Sequence, residues 1–217
     1  MPAYRSSAEA EIRQPVVEML RLMIPGCRIV HEINTCSFGN RIDVLAIGVD
    51  RLVAVEIKSA KDKLDRLPDQ IKAMRGVTPF VFAALHEKFV VDLRGQAFPP
   101  DQARGATVWI YPKAQRSGHI HCGERWHNQA RYRKPTFCLP PEAIRMLWRD
   151  ELHAILRRIG IKSISKLDMD ESIDRIRWNL TGEQITHAIC TALRTRICVE
   201  ADPPIPANDN NPMRLSA

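Results

Sequence analysis

Asp43, Glu56 and Lys58 are the residues whose types and spacing could do chemistry. They sit in RIDVLAI (41–47) and LVAVEIK (52–58), two apolar runs separated by Gly48, Val49, Asp50 and Arg51. Two carboxylates and an ammonium in such surroundings are costly to desolvate unless they pair with one another or hold a cation. Paired carboxylates suit Mg²⁺, which keeps several waters for a phosphate substrate to replace. The competing reading is a structural ion pair inside a packed sheet.

Short β-branched runs on either side of a Gly/Asp-containing break predict a β-hairpin. With Val49 and Asp50 at the centre of its turn, Ile47 faces Leu52, Leu45 faces Ala54 and Asp43 faces Glu56. Side chains alternate faces along a strand, so Asp43, Glu56 and Lys58 emerge together at one end of the hairpin. The scarcity of other polar residues predicts strands covered on both faces.

An Asp on one strand followed by Glu-x-Lys on the next resembles the PD-(D/E)XK nuclease superfamily, in its bacterial and phage endonuclease branch. The residues that carry the likeness are Asp43 in RIDVLAI and Glu56-Ile57-Lys58 in VAVEIK, and the Pro of the superfamily's first motif is missing. The stretch VEIKSAKDKLDRLPDQIKAM is similar to the strand–helix unit of such members. The resemblance covers residues 5–112 and implies an α/β, restriction-endonuclease-like core: a helix, a three-stranded meander, a helix and two further strands in a mixed sheet. It implies that Asp43 and Glu56 ligate Mg²⁺ (or Mn²⁺ as a substitute) with the Ile57 carbonyl, and that Glu9 on the first helix binds through water. Lys58 would orient the attacking water, and Gln70 would steady the site or meet DNA. The implied activity is metal-dependent hydrolysis of DNA phosphodiester bonds, in repair, recombination or mobile-element biology, with no small-molecule cofactor. The alternative is a non-cleaving nucleic-acid-binding or regulatory protein built on the same fold. Many nucleases of the superfamily act as homodimers, but no self-complementary patch is legible in this sequence.

The elements that must hold these residues follow from periodicity. From Ser6 to Met23, Ile12, Val16, Met19, Leu20 and Met23 recur at helical spacing, with Ser6 or Ser7 as N-cap. Pro15 is expected to kink this helix or delay its start. Glu9 falls on its buried face, where it either serves the site or complements the helix dipole. CRIVHEINT (27–35) reads as the first strand. Its His31 is either close to the metal or a satisfied strand histidine. Arg41 meets either phosphate or a neighbouring carboxylate. Leu64, Leu67, Ile71 and Met74 form the stripe of a second helix, which carries Gln70 and stops at Gly76. TPFVFAAL (78–85) and ATVWIY (106–111) are two more strands, and HEKFVVDLRGQ between them reads as helical.

Residues 113–141 change character. Lys113, Arg116, Arg125, Arg131, Arg133 and Lys134 face the single carboxylate of Glu124, with Trp126 and Tyr132 interleaved. Cations for phosphates and aromatics for bases suit a nucleic-acid surface, and a solvated loop has the same composition. His119, His121, Cys122, His127 and Cys138 are a candidate zinc set whose spacing fits no familiar finger. Residues 142–199 read as a helical extension that would help to bind DNA. Its predicted elements are a helix from Glu142 to Ile159, a link, a helix from Met169 to Asn179 and a last helix capped by Thr181 and Gln184. Residues 200–217, with four prolines and little to bury, are expected to be a disordered tail.

The net charge of +7 over 217 residues suits a polyanionic partner. Six cysteines without a Cys-x2-Cys pair point to reduced thiols. No apolar run reaches the length of a membrane span and the N-terminus lacks a signal-peptide core, so no membrane association and a cytoplasmic location are expected.

Overall fold

The computed structural model describes residues 7–35, 40–94, 96–111 and 138–206. The first helix, α1 (Ser7–Met23), buries Ile12, Val16 and Leu20 and leaves Glu11 and Glu18 outside. Pro15 lies inside it without delaying its start. The carbonyl that this proline cannot bond belongs to Glu11, on the exposed face where water can reach it.

Three strands follow as an antiparallel meander: β1 (Arg28–Asn34), β2 (Arg41–Ile47) and β3 (Leu52–Lys58). Helix α2 (Leu67–Arg75) then crosses to β4 (Phe80–His86), which runs parallel to β3. Pro68 stands in the first turn of α2, where its missing N–H costs nothing. The segment expected to be helical after β4 is instead a short 3₁₀ turn, Glu87–Phe89, and a small hairpin of β5 (Val91–Leu93) and β6 (Gln96–Phe98). Val90 and Val91 favour extended backbone, and Arg94 turns the chain at φ +55°. Strand β7 (Thr107–Tyr111) completes a mixed five-stranded sheet in the order β1-β2-β3-β4-β7.

Both faces of the sheet are covered. Val44, Ala46, Val53, Val55, Phe82 and Trp109 pack with Ile12, Val16 and Leu20 of α1. On the opposite face Leu45, Ile47, Leu52, Ala54, Val81 and Leu85 meet Leu67, Ile71 and Met74 of α2. That same apolar cluster continues into three C-terminal helices, α3 (Arg149–Arg158), α4 (Met169–Asn179) and α5 (Gly182–Thr195), through Leu152, Leu156, Ile173, Ile176, Ile189 and Leu193. The helix expected from Glu142 to Ile159 is broken in two. A 3₁₀ segment, Pro141–Met146, ends at Leu147, and Trp148 takes extended backbone as the N-cap of α3.

The expected disorder does not begin at residue 200. His31 N donates to Glu200 O, Asp202 N donates to Ile29 O, and Ala201 bridges Val30. Asp202 also accepts from Ile29 N and Arg21, while Arg28 reaches the Asp202 carbonyl. This strap occupies the open edge of β1, which would otherwise present unpaired backbone groups. Residues 207–217 of the expected tail lie outside the described residues. Among the described residues no helix is long and apolar enough to cross a membrane.

Candidate active site

The hairpin register is as expected from Ile47↔Leu52 through Leu45↔Ala54 to Val44↔Val55, and there it ends. Asp43 is not a ladder partner of Glu56. Instead Ile57 N donates to Asp43 Oδ2 at 2.8 Å, so a carboxylate takes the acceptor role that the Ile42 main chain would fill in a continued ladder. The Asp43 carbonyl turns to Arg13 Nη1 at 2.8 Å. Across the β1–β2 ladder, Glu32 is the residue opposite Asp43 and the one position skipped between His31↔Val44 and Ile33↔Ile42. Its φ of +55° lies in the left-handed region, a strained conformation for a non-glycine residue in a strand. Beyond this point Ile33 and Ile42 join the cluster on the α2 face, out of phase with strict alternation. The irregularity in both strands frees Asp43 from the ladder beside Glu56.

Glu56 and Lys58 project from β3 on the α2 side and are buried, Glu56 at 1 % exposure. Lys58 Nζ donates to Glu56 Oε1 at 2.7 Å, and Gln70 Nε2 of α2 donates to the same oxygen. Glu56 Oε2 and Gln70 Oε1 are buried without a hydrogen-bond partner among the described residues. Desolvation and the neighbouring Asp43 charge push the Glu56 carboxyl up to about 8, against the pull of Lys58 and Gln70. Burial also raises Asp43, opposed by the Ile57 N–H and Arg13. Two buried acceptor atoms with nothing to accept, one on a carboxylate that resists ionisation and one on the amide that holds it, are what a bound cation would relieve.

Of the six expected site residues, Asp43, Glu56, Lys58 and Gln70 are brought together, and Ile57, expected to offer its carbonyl, meets Asp43 through its N–H. Glu9 stands one guanidinium away. It pairs with Arg13, whose Nε–Oε1 distance is 3.1 Å. Arg13 is 2 % exposed and also binds His31 Nδ1 at 3.0 Å and Glu32 Oε1 at 3.2 Å. Sequence reasoning passed over Arg13 and the role of Glu32. The signal for Arg13 was present, since it lies four residues after Glu9 on the same helix face. His31 is a satisfied strand histidine, its ring pulled down to about 4 by burial and the Arg13 charge. Arg41 pairs with Glu32 at 3.3 Å.

Among the described residues no group of three or more His, Cys, Asp or Glu side chains is placed to hold a metal. The basic segment 113–141 and the candidate zinc residues His119, His121, Cys122 and His127 lie outside the described residues, apart from 138–141. Cys138 is exposed. Burial raises the thiols of Cys27 and Cys190 to about 11 and 12, so these two are inert core thiols.

Fold and site together define an α/β protein whose mixed sheet parts its central strands to seat two carboxylates, a lysine and a glutamine. The model of the bacteriophage P4 protein cII family matches residues 3–202. The chain belongs to that family. No curated protein and no solved structure matches it.

Proposed function

We propose that this chain is a metal-dependent deoxyribonuclease of the PD-(D/E)XK type, with a restriction-endonuclease-like core. The observation that carries the reading is Glu56: a buried carboxylate with one oxygen held by Lys58 and Gln70 and the other unpartnered beside Asp43. The order of a helix, an antiparallel meander, a crossover helix and two parallel strands agrees with it.

The donor set is all oxygen, which favours Mg²⁺ or Mn²⁺ over softer ions. Asp43 and Glu56 would hold the ion, with main-chain oxygen at Ile57 beside them. When bound, it supplies charge stabilisation at the phosphoryl oxygen and a more acidic water. Lys58 lies within reach of the same space, where its ammonium orients the attacking water and balances charge that develops on the phosphate. Gln70 holds the Glu56 carboxylate so that Oε2 stays directed away from Oε1 and its two donors. Arg13 fixes the main chain at Asp43 and neutralises Glu9 and Glu32, which would otherwise repel a phosphate.

End-labelled DNA in single-stranded, nicked, flapped and four-way forms, incubated with Mg²⁺, Mn²⁺ or EDTA, tests the assignment. Cleavage should require the metal and fall about 10²–10³-fold in both Glu56→Ala and Lys58→Ala. Equal cleavage by wild type and folded variants would refute it, as would binding across the panel with no cut under any metal.

A further inference from the structure

Outside the carboxylate site the fold leaves a cleft of about 720 Å³ along the outer face of α2. Arg66, Asp69 and Lys72 line it, together with Asn40, Glu142 and Arg145. Ala73 and Val77 add an apolar part to the lining. Of its lining residues, Asn40 directly precedes β2 and Arg66 caps the start of α2, both at the end of the sheet where β3 finishes in Lys58.

Charge in this cleft is unevenly committed. Glu142 and Asp170 both pair with Arg145, at 3.1 and 2.8 Å. Arg66 and Lys72 are exposed, and neither has a carboxylate within 4.0 Å among the described residues. Two cations spaced along a helix, an apolar part of the lining and an asparagine amide match the parts of a nucleotide chain: phosphates, base faces and base edges. The volume falls in the range of pockets that enclose small ligands, roughly 300–1,000 Å³. Base faces reach such a surface only from an unpaired strand, because in a duplex they are stacked on one another.

We infer that this cleft holds a single-stranded DNA segment leading to the carboxylate site, so that the substrate is a free or flapped strand and not an intact duplex. The inference rests on the nuclease reading for its direction, and binding without turnover tests it separately. Fluorescein-labelled oligo(dT) would be titrated into the full chain in EDTA and followed by anisotropy, with duplex DNA and oligo(U) as parallel arms. The double variant Arg66→Ala/Lys72→Ala should weaken oligo(dT) binding at least tenfold and reduce its salt slope by about 1.4, at roughly 0.7 per lost phosphate contact. Arg157→Ala/Arg158→Ala, which removes two exposed cations from the end of α3, should leave it unchanged. Equal loss in the two double variants would reduce the effect to net charge and overturn the assignment. Duplex binding as tight as oligo(dT) and equally sensitive to Arg66 and Lys72 would overturn its single-strand part, and a preference for oligo(U) would replace DNA with RNA. A chain that binds through the cleft but cuts nothing sinks the nuclease reading alone. A chain that cuts while its binding ignores the double variant sinks the cleft.

Discussion

At the scale of the residue, Glu56 has the strongest consequence for pH. Its carboxyl is raised from an ordinary 4.5 to about 8, so between those values the folded chain holds a proton that the unfolded chain has released. Stability contributed by this group is therefore fully present below 4.5 and lost as pH rises through 8. Asp43, raised in the same direction, adds to the trend. His31 acts oppositely: lowered from 6.5 to about 4, it favours the folded state above 6.5 and withdraws that support as pH falls. From pH 6.5 to 8 Glu56 acts without that opposition. Urea unfolding in EDTA should show stability falling across this window, by at most roughly 1.4 kcal/mol per pH unit for one proton. Glu56→Gln should flatten the profile, and an unchanged slope in that variant would remove Glu56 as its source.

At the scale of the element, the strap over β1 ties the far end of the chain to the strand beside the site. Asp202 bonds the main chain of Ile29 in both directions and pairs with Arg21, while Ile205 N reaches Arg194 O. Asp202→Ala should cost about 1–3 kcal/mol, because it leaves the Ile29 N–H without its acceptor. Hydrogen exchange should then quicken at Ile29 and His31 before it changes at Val55. The composition of 200–206 concealed this strap, since prolines and small polar residues resemble a solvated tail until an open strand edge lies beside them. The break at Trp148 was hidden for a different reason. Ile144, Leu147, Leu152 and Ile155 keep an apolar face through a 3₁₀ segment and an α-helix alike. The hairpin of β2 and β3 was legible because alternation of faces and a Gly-containing turn both specify the same register.

At the scale of the whole molecule, sheet and C-terminal helices share one apolar cluster. Leu193 of α5 and Leu156 of α3 are buried in the cluster that contains Ile47 and Leu52. Arg196 locks the end of α5 to α3 through Glu151 at 2.7 Å, donates to Met146 O, and lies beneath the Trp148 ring. Leu193→Ala should therefore lower global stability by about 2–5 kcal/mol and leave a single unfolding transition. Far-UV dichroism and tryptophan fluorescence recorded in the same urea series would check it. Two separated transitions would mean that the helices fold as a unit of their own.

The sequence by itself determined which residues carry charge into apolar strands, how the hairpin is registered, and that Gln70 rides on the helix after Glu56. These depend on spacing within a strand or a helix, and local geometry settles them. Tertiary structure alone decided that Asp43 leaves the ladder to hold Ile57 N, that Glu32 strains opposite it, and that Arg13 absorbs Glu9. Each of these is a contact between segments distant in the chain, formed because a buried carboxylate must find a donor wherever the packed fold supplies one.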